Sequence, residues 1–575
     1  MKTKILMSAM AAAGLCLASC ESMDLVPKMQ GNTESWYTTE TELNLASNDF
    51  YILGYWNQPL ESSEQWTDNV TYRLQNRNPG SNGTVLDGTL NGQQYEVYRL
   101  WEQSYKLIAR ANTMLENIHK AEGNVMESVI NRYKGEAYFC RACKYADLTF
   151  FYGDVPYVDQ TLTISEALQQ GRRDRDEVKQ LTYEDFDKAI EYLPESYGAN
   201  EEIHATKGAA LAMKARYALY MHDYEIAEAA AKQCIGLGIY ELYPSYAELF
   251  KQQTKNVPEK VFCLPRLAST DVFLDTWFVT NGLPRNCGGY GSYNPSWDLL
   301  AAYLCTDGLP IDESPLFDPH NPFEHRDPRC TMTIVEFGTE HCGFEYDPSP
   351  LATEVMNYNT GQMQENNDTQ IVNGNCSYNG LLWKKGIDES WVENHEVEQD
   401  YVIIRYADVL LIYAEALIEQ NKDLDVAADY INQVRARAYG VDKSETDAYP
   451  AVVAVDQAQM RKAVRIERRM EFAMENQRLQ DLMRWDLAIK ALNGYNYILL
   501  RDANEELSKV VNDGHWFWGE TPQIDEDGLA DFSNLYNRGL CATGAQRVFP
   551  ERQMLWPIPT HDTQLNPNLG NNPGY

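Results

Sequence analysis

The chain has 575 residues, 44% of them hydrophobic, and a formal net charge of −35 at pH 7. A chain of this length can bury a large core without disulfide staples. Its negative field excludes polyanions such as nucleic acids and acidic polysaccharides as favoured ligands, because the sequence offers no basic patch: RRDRDE at 172–177 and RIERRME at 465–471 mix both signs. The sequence therefore favours a neutral ligand.

The first residues have the pattern of an exported lipoprotein. Lys2 and Lys4 precede an apolar run that is too short to span a membrane but fits the core of a signal peptide. The run ends in Leu-Ala-Ser-Cys, which resembles the bacterial lipobox, where the cysteine receives a diacylglycerol and becomes the first residue of the mature protein. We therefore predict a lipoprotein signal peptide at 1–19, lipidation of Cys20 and a lipidated tether at 20–35. The alternative is a conventional signal peptide with a chance cysteine.

Helical periodicity recurs along the chain in separate blocks. It predicts helices at about 95–120, 129–151, 182–193, 457–475 and 479–492. Two blocks, 207–238 and 405–438, each predict two helices joined by a short turn, and the first resembles a tetratricopeptide unit in its order of small and aromatic residues. Because the pairs recur irregularly and with long insertions, the sequence predicts a helical-repeat scaffold and not a regular solenoid.

Ten of the twelve cysteines lie outside the leader and its end, and they show no pairing rhythm. Cys140 and Cys143 form a C-x-x-C motif inside a predicted helix. No second such motif and no matching histidine pair accompanies them, so the sequence predicts buried thiols and not a zinc site.

Two long regions have the composition of loops. Between residues 240 and 400 helical periodicity fades and Gly, Pro, Asn and aromatic residues increase, as in NCGGYGSYNPSW at 286–297. A similar region covers 501–550 and includes HWFWGE at 515–520. Insertions of this length are usually functional or disordered, and their aromatic content argues against disorder.

Several motifs, in order along the chain, resemble the SusD/RagB family of outer-membrane lipoproteins, which capture glycans for a partner transporter. They are YKLIARANTMLENI, GEAYFCRACKYADLTFFYGDVPYVDQTL, YLCTDGLPI with HRDPR, IRYADVLLIYAEAL with INQVRARA, RIERRMEFAMENQRLQDLMRW and LWPIPTHDTQLNPNLGNNPGY. The chain departs from the family at Asn476, where a glycine is usual, and at Trp556, where an aliphatic residue is more common. Asparagine is the next choice after glycine for a left-handed residue at a helix end, so the first departure is physically tolerable.

The resemblance implies a mainly α protein with a SusD-like fold, built on tetratricopeptide-like helix pairs with long aromatic-rich loop insertions. It implies a single domain over 36–575, with the helical scaffold at about 95–240 and 400–495 and ligand-side loops at about 50–94, 241–399 and 500–550. It also implies a SusC-like TonB-dependent transporter as partner and a lipid-anchored location in the outer membrane, facing the cell exterior. The core and its ion pairs are expected to include Tyr406, Glu415, Arg435, Arg468 and Trp485.

A glycan site needs aromatic rings that stack on the apolar faces of sugars and polar groups that bind their hydroxyls. In the family these residues come from the segment after the N-terminal helix and from the middle loops. The candidates in this chain are Trp66, Asp68, Asn69, Tyr72, Arg73, Trp277, Tyr290, Tyr293 and Trp383, with Arg285 and Asn286 nearby. The alternative for the first segment is a loop anchored by a buried Trp66.

Other aromatic residues are predicted to have different roles. Trp101 and Trp297 lie beside apolar residues and are predicted to be core. The patch from His515 to Trp518 is expected to pack either on the transporter or on the protein's own scaffold.

Catalytic and metal-binding motifs are absent from the sequence. It contains no G-x-S-x-G, H-E-x-x-H, P-loop or G-x-G-x-x-G pattern, so we predict neither an enzyme nor a cofactor. His325, His341 and Cys342 do not have a known metal-ligand spacing. Asn366, Asn367 and Asp368 could hold calcium but more often such residues form a turn, so no metal is predicted.

Three alternatives to glycan capture remain open from the sequence. The protein could be a transporter cap with negligible affinity for glycan, or it could bind peptide or glycoprotein. A glycosidase is disfavoured, because no acid pair lies in a recognisable motif.

Overall fold

The computed structural model describes residues 36–73, 85–198, 204–500 and 510–575. The predicted signal peptide, the lipidation site Cys20 and the predicted tether lie outside the described residues. Within the described ranges, none of the helices combines the length and the apolar character needed to cross a membrane.

The described chain is mainly helical. Its α-helices up to residue 236 are Glu40–Asn48, Gly54–Asn57, Tyr95–Asn117, Glu127–Tyr152, Ile164–Ala167, Arg175–Tyr192, Lys207–Tyr220 and Tyr224–Gly236. Those that follow are Thr276–Gly282, Trp297–Ala302, Arg329–Thr333, Ser390–Glu393, Tyr406–Glu419, Leu424–Tyr439, Gln457–Phe472, Arg478–Arg484, Ala488–Ala491, Ser533–Asn537 and Thr560–Leu565. Short 3-10 helices are Asp49–Tyr51, Leu60–Trp66, Ile118–Ala121, Ala268–Thr270, Arg285–Cys287, Glu551–Met554 and Pro567–Leu569.

The predicted long helices are confirmed, with two differences at their ends. The helix predicted from residue 182 begins at Arg175, because Asp174 caps it by accepting hydrogen bonds from the backbone N–H groups of Asp176 and Glu177. The helix predicted for 479–492 is broken after Arg484. Its end is a Schellman motif, in which left-handed Asp486 allows the Leu487 N–H to reach the Leu482 carbonyl at 2.8 Å.

The strands are short and every strand pair is antiparallel. They are Val70–Tyr72, Lys260–Leu264, Tyr293–Pro295, Thr339–His341, Phe344–Tyr346, Glu354–Asn357, Gln362–Glu365, Tyr401–Arg405, Gly494–Ile498, Gln523–Ile524, Ala530–Asp531 and Ala542–Arg547. Thr339–His341 through Gln362–Glu365 form a four-stranded meander inside the region predicted as loop. Strands of three or four residues are too short for an alternating pattern to be recognised in the sequence.

The core of the helical scaffold surrounds the helix Tyr406–Glu419, in which every residue from 407 to 418 is buried. This helix packs against Lys207–Tyr220, Tyr224–Gly236, Leu424–Tyr439 and Gln457–Phe472. Buried alanines on the first two of these helices let the backbones approach closely. Cys140 and Cys143 lie buried in the helix Glu127–Tyr152 as free thiols, as predicted.

A buried network of charges connects this core. Both Glu471 oxygens accept hydrogen bonds from arginines: Arg329 at 2.9 Å, Arg405 at 2.7 Å, and Arg437. Burial alone would raise the pKa of the Glu471 carboxyl, but the three guanidinium groups outweigh burial and hold the pKa well below its usual value. The carboxylate therefore stays ionised and joins three segments of the chain.

The predicted core ion pairs are confirmed. Glu415 accepts hydrogen bonds from Arg484 and from the Trp485 indole at 2.7 Å. Arg435 pairs with Glu467 at 2.8 Å, and Arg468 with Asp408 at 2.8 Å. All of these charged groups are buried, so each depends on its partners for solvation.

The substitution Glu471→Ala should lower the free energy of unfolding by about 3–5 kcal/mol, because it leaves three buried guanidinium groups without their shared acceptor. Denaturation in urea, followed by tryptophan fluorescence, measures this loss. The matched control is Asp429→Ala, which removes the exposed pair with Lys443 and should cost less than about 1 kcal/mol. Equal losses in the two variants would contradict the central role of Glu471.

The lowered pKa of Glu471 also predicts a pH dependence of the difference in stability between the wild type and Glu471→Ala. Because the pKa of Glu471 is lower in the folded protein than its ordinary value of 4.5, its stabilisation is present above that value and is lost as pH falls below it. The difference in stability between wild type and Glu471→Ala should therefore shrink between about pH 5 and about pH 3. Urea midpoints measured across that range test this expectation.

Candidate ligand-binding surface

Five aromatic side chains form two contacting groups at and near the antiparallel pair of Val70–Tyr72 and Tyr293–Pro295. Tyr72 and Tyr293 are opposite each other in the strand register, and their ring centroids are 5.2 Å apart. Phe278 contacts Tyr293 at 5.1 Å, and Trp277 contacts Tyr290 at 5.5 Å. We call these five residues, Tyr72, Trp277, Phe278, Tyr290 and Tyr293, the aromatic surface.

The helix Thr276–Gly282 directs two neighbouring rings to different environments. Asp275 caps this helix by accepting a hydrogen bond from the Phe278 N–H at 3.0 Å. Since consecutive helical residues point about 100° apart, Phe278 turns inward against Trp383, at 5.5 Å, whereas Trp277 remains 55% exposed. An exposed tryptophan beside other rings is typical of a binding surface.

Backbone hydrogen bonds hold the loop of Tyr290 against this helix. The Tyr290 N–H donates to the Thr280 carbonyl at 2.8 Å, and the Gly289 N–H donates to the Pro284 carbonyl at 2.9 Å. A Cβ atom at Gly289 would lie 2.3 Å from the Leu283 carbonyl oxygen, so only glycine fits there. The backbone therefore fixes the position of Tyr290.

Polar groups lie beside the aromatic surface. The Arg285 guanidinium is 5.8 Å from the Tyr290 ring centroid, and its Nη1 donates to the Gly289 carbonyl at 3.0 Å. The Asp368 carboxylate accepts hydrogen bonds from the backbone N–H groups of Arg285 at 2.7 Å and Asn286 at 3.0 Å. Asp368, which the sequence left open as a calcium ligand, thus anchors this loop.

A cavity of about 110 Å³ adjoins the aromatic surface. Phe278, Tyr293 and Trp383 line it on one side, and burial raises the pKa of Tyr293 to about 12. Polar and charged side chains also line the cavity: Glu61, Ser62, Glu64, Gln65, Lys260, Arg266, Lys385, Gln399, Asp400, Glu475 and Asn476. Aromatic rings and hydrogen-bonding groups therefore line the same cavity, which suits a ligand with apolar faces and hydroxyl edges.

Lys385 is one of the buried cations that line this cavity, with Lys260 and Arg266. Its Nζ donates to the Ala473 carbonyl at 2.9 Å and to the Glu475 carboxylate at 2.5 Å. Burial lowers the pKa of Lys385 to about 8, although the carboxylate partly compensates. The cation is therefore already paired inside the protein.

The structure brings together most of the predicted residues from the middle loops. The aromatic surface contains Trp277, Tyr290 and Tyr293 from the middle loops and Tyr72 from the first segment. Trp383 lies behind it, 7% exposed, and packs edge-on against Trp391 at 5.8 Å.

Arg73 follows Tyr72 but turns inward. It is buried, and its Nη1 donates to the Asn375 carbonyl. Burial lowers its pKa.

Three predicted residues of the first segment lie in the interior instead. Trp66 packs against Trp556 with centroids 5.7 Å apart. The Asp68 carboxylate accepts hydrogen bonds from Arg478 at 2.8 and 2.9 Å and pairs with Arg469, and Asn69 donates to Glu64 at 2.8 Å. The alternative of a loop anchored by buried Trp66 matches this arrangement. A ligand could reach these three side chains only if the core around them opened.

The remaining aromatic predictions concern the core. Trp101 and Trp297 are buried, as predicted. Phe517 and Trp518 pack on Trp297 at 5.5 and 6.0 Å, so that patch contacts the protein's own scaffold. In the part of the chain that the structure describes, no group of three or more His, Cys, Asp or Glu side chains is arranged to hold a metal ion.

Sequence reasoning missed Phe278 and the polar cavity. The Asp275 cap followed by adjacent Trp and Phe could have indicated a short helix with one ring on each side. The cavity had no local signal, because its lining comes from segments distant in sequence.

Two family models match successive parts of the chain, and a curated relative matches most of its length. The family described as "SusD family" matches residues 261–575, and the family described as "Starch-binding associating with outer membrane" matches residues 25–219. A SusD-like protein of Formosa agariphila is 26% identical over 503 residues, covering 84% of this chain and 91% of that protein.

Solved structures have the same fold. A SusD-like carbohydrate binding protein from Bacteroides fragilis is 27% identical with a TM-score of 0.74, covering 93% of this chain and 99% of that chain. Surface glycan-binding protein A from Bacteroides fluxus is 18% identical with a TM-score of 0.61, covering 94% of this chain and 100% of that chain, which shows a shared fold alone.

The two tryptophans of the middle loops should differ in their effect on stability. Trp277→Ala should change the free energy of unfolding by less than about 1 kcal/mol, because the ring is mostly exposed. Trp383→Ala should cost about 3–5 kcal/mol, because it removes a buried ring from between Phe278 and Trp391. Urea denaturation of both variants tests this, and a large loss in Trp277→Ala would mean that its ring is structural.

Proposed function

The chain belongs to the SusD/RagB family and has its mainly helical, SusD-like fold, and on this premise we propose that it captures a neutral oligo- or polysaccharide. The aromatic surface would hold the glycan, and a partner SusC-like TonB-dependent outer-membrane transporter would receive it. The observation that carries the proposal is the exposed Trp277, which contacts Tyr290 and directly precedes Phe278, a residue that lines the polar cavity.

Stacking on this surface supports binding of moderate strength. Trp277, which is 55% exposed, and Tyr290, whose ring centroid is 5.5 Å away, offer two neighbouring aromatic rings to a glycan. An aromatic contact contributes about 0.5–1.5 kcal/mol beyond the area it buries. Affinity should therefore increase with the length of the glycan, as more residues of the chain reach a ring.

The charge of the protein supports a neutral ligand. A net charge of −35 repels anionic polymers. Two cations of the cavity already have carboxylate partners, since Lys385 pairs with Glu475 and Arg266 with Glu61. A carboxylated or sulfated glycan would have to compete with these pairs.

The partners of the carboxylates that line the cavity support binding of a glycan without its cleavage. A glycosidase uses two carboxyl groups on either side of the scissile bond. Here Glu61 pairs with Arg266, and Glu475 pairs with Lys385 and Arg405. Burial raises the pKa of Glu64, and this carboxyl accepts hydrogen bonds from the Asn69 amide and the Met474 and Asn476 backbone. These three groups thus have structural roles, and the fourth carboxylate of the cavity, Asp400, lies 3.4 Å from the Lys260 ammonium.

The location in the membrane is part of the proposal. The description of the family that matches residues 25–219 associates it with the outer membrane. Lipidation of Cys20 would anchor the protein there, facing the cell exterior. Protease treatment of intact cells tests the orientation: a protein protected from digestion would rule out the exterior face.

Isothermal titration against neutral and acidic polysaccharides tests glycan binding. We expect binding to at least one neutral glycan, and Trp277→Ala and Tyr290→Ala should each weaken it about 3- to 10-fold through loss of stacking. The matched control is Tyr536→Ala, which removes a tyrosine of similar exposure, 49%, from the helix Ser533–Asn537 outside the aromatic surface. Failure to bind any glycan, or equal weakening by the control, would refute the proposal.

Delivery to a transporter has its own test. The double variant Trp277→Ala and Tyr290→Ala should still co-purify with the transporter from membranes, whereas glycan uptake by cells should fall. If uptake were unchanged, the protein would instead be a cap that contributes no binding of its own.

A further inference from the structure

Two cysteines meet beneath the loop that carries Arg285 and Tyr290. Cys287 ends the 3-10 helix Arg285–Cys287, and its Sγ lies 3.7 Å from the Cys342 carbonyl oxygen. The Cys287 side chain packs against the apolar cluster that contains Cys342. Cys342 occupies the turn between the strands Thr339–His341 and Phe344–Tyr346, in the left-handed conformation with φ of 52°.

Cys342 is the more buried member of this pair, and Cys287 is half-buried. Cys342 is 5% exposed among apolar side chains, and its Sγ is 3.7 Å from the His341 Nε2. Contact with Cys287 and with His341 lowers the pKa of the Cys342 thiol in spite of burial. The same contact, together with burial, raises the pKa of Cys287. The imidazole of His341 thus favours ionisation of the Cys342 thiol.

The other cysteines of the described residues have a different environment. Burial raises the pKa of each of them: Cys140, Cys143, Cys234, Cys263, Cys305, Cys330, Cys376 and Cys541. Cys342 differs from them in its lowered pKa.

We propose that Cys287 and Cys342 are a redox pair that forms a disulfide in the exported protein, fixing the loop of Arg285 and Tyr290 to the strand hairpin. Both are thiols in the structure. The bond would join residues 55 positions apart in sequence.

The oxidant is a small-molecule disulfide such as oxidised glutathione. The half-buried Cys287 meets the oxidant: its thiol loses a proton, its sulfur attacks one sulfur of the glutathione disulfide, and one glutathione leaves. The Cys342 thiol then loses its proton, and its sulfur attacks the Cys287 sulfur of the mixed disulfide, forms the bond to Cys287 and releases the second glutathione. The two cysteines lose two electrons to the glutathione disulfide, and their two protons end on the two glutathione thiols, so the exchange is balanced.

The disulfide would preorganise the loop that carries Tyr290 of the aromatic surface. The loop is already held by the Asp368 carboxylate and by the hydrogen bond from the Tyr290 N–H to Thr280. A covalent link at Cys287 would restrict it further, and restricting a binding loop in its bound shape reduces the entropy lost on binding. Only this consequence rests on the proposed glycan function.

The experiment treats the purified protein with dithiothreitol and then with oxidised glutathione, alkylates the remaining thiols, and maps peptides by mass spectrometry without reduction. We expect a linked pair of peptides containing Cys287 and Cys342, while the other eight described cysteines are alkylated. We also expect oxidation to raise the Tm of the wild type by a few degrees, and to leave that of Cys287→Ser unchanged.

A matched control is Cys305→Ser, which removes another cysteine and should still give the linked peptides. Recovery of Cys287 and Cys342 as alkylated thiols in the folded, oxidised wild type would overturn the proposal, and this readout requires no variant to fold. Peptide mapping is also independent of glycan titration. Linked peptides without glycan binding would count against the proposed function alone, and binding without linked peptides would count against the disulfide alone.

Discussion

The fold depends on the carboxylate of Glu471, which three arginines from distant parts of the chain share. Arg329 lies on a short helix within the middle loop region, Arg405 at the end of a strand and Arg437 on a scaffold helix. Each guanidinium is buried and has further carboxylate partners, so the cost of removing these charges from water is offset by multiple hydrogen bonds. Such a network has one satisfied arrangement, and it fixes how the inserted region meets the helices.

Buried ion pairs and hydrogen bonds of the same kind connect the region of Glu471 to the aromatic surface. A few residues after it, left-handed Asn476 exchanges hydrogen bonds with Glu64, at 2.8 and 3.0 Å. Arg469 and Arg478 hold Asp68, and two residues after Asp68 the strand Val70–Tyr72 begins. This strand places Tyr72 opposite Tyr293. The charged interior thus determines where the rings lie, although none of its carboxylates needs to contact a ligand.

The sequence predicted the scaffold well because its signals are local. Each long helix repeats an apolar face over several turns, and the residues of the core ion pairs followed from the family resemblance. The departure at Asn476 is accommodated, as its positive φ of 62° is one that asparagine tolerates. The meander at 339–365 was missed because strands of three or four residues carry too little periodicity.

The site was harder to predict, because composition does not reveal burial. Trp66, Asp68 and Asn69 have the residue types of a sugar site, but the arginine partners of Asp68 lie about 400 positions away in sequence. No local sequence pattern indicates that these arginines are the partners of Asp68. Trp277 and Tyr290 were found because they stand near glycines or in a region without helical periodicity. Phe278 and the cavity depend on long-range pairing of strands, which the sequence alone does not specify.

The family can be recognised from the sequence while the ligand cannot, because the core and the aromatic surface depend on different residues. The rings of Trp277 and Tyr290 are positioned mainly by backbone hydrogen bonds, by the glycine at 289 and by the Asp368 carboxylate. Because Trp277 is more than half exposed, its side chain contributes little to the folded state. A substitution of Trp277 can therefore change the aromatic surface without disturbing the core. The residues that fix the fold and those of the aromatic surface are subject to separate physical constraints.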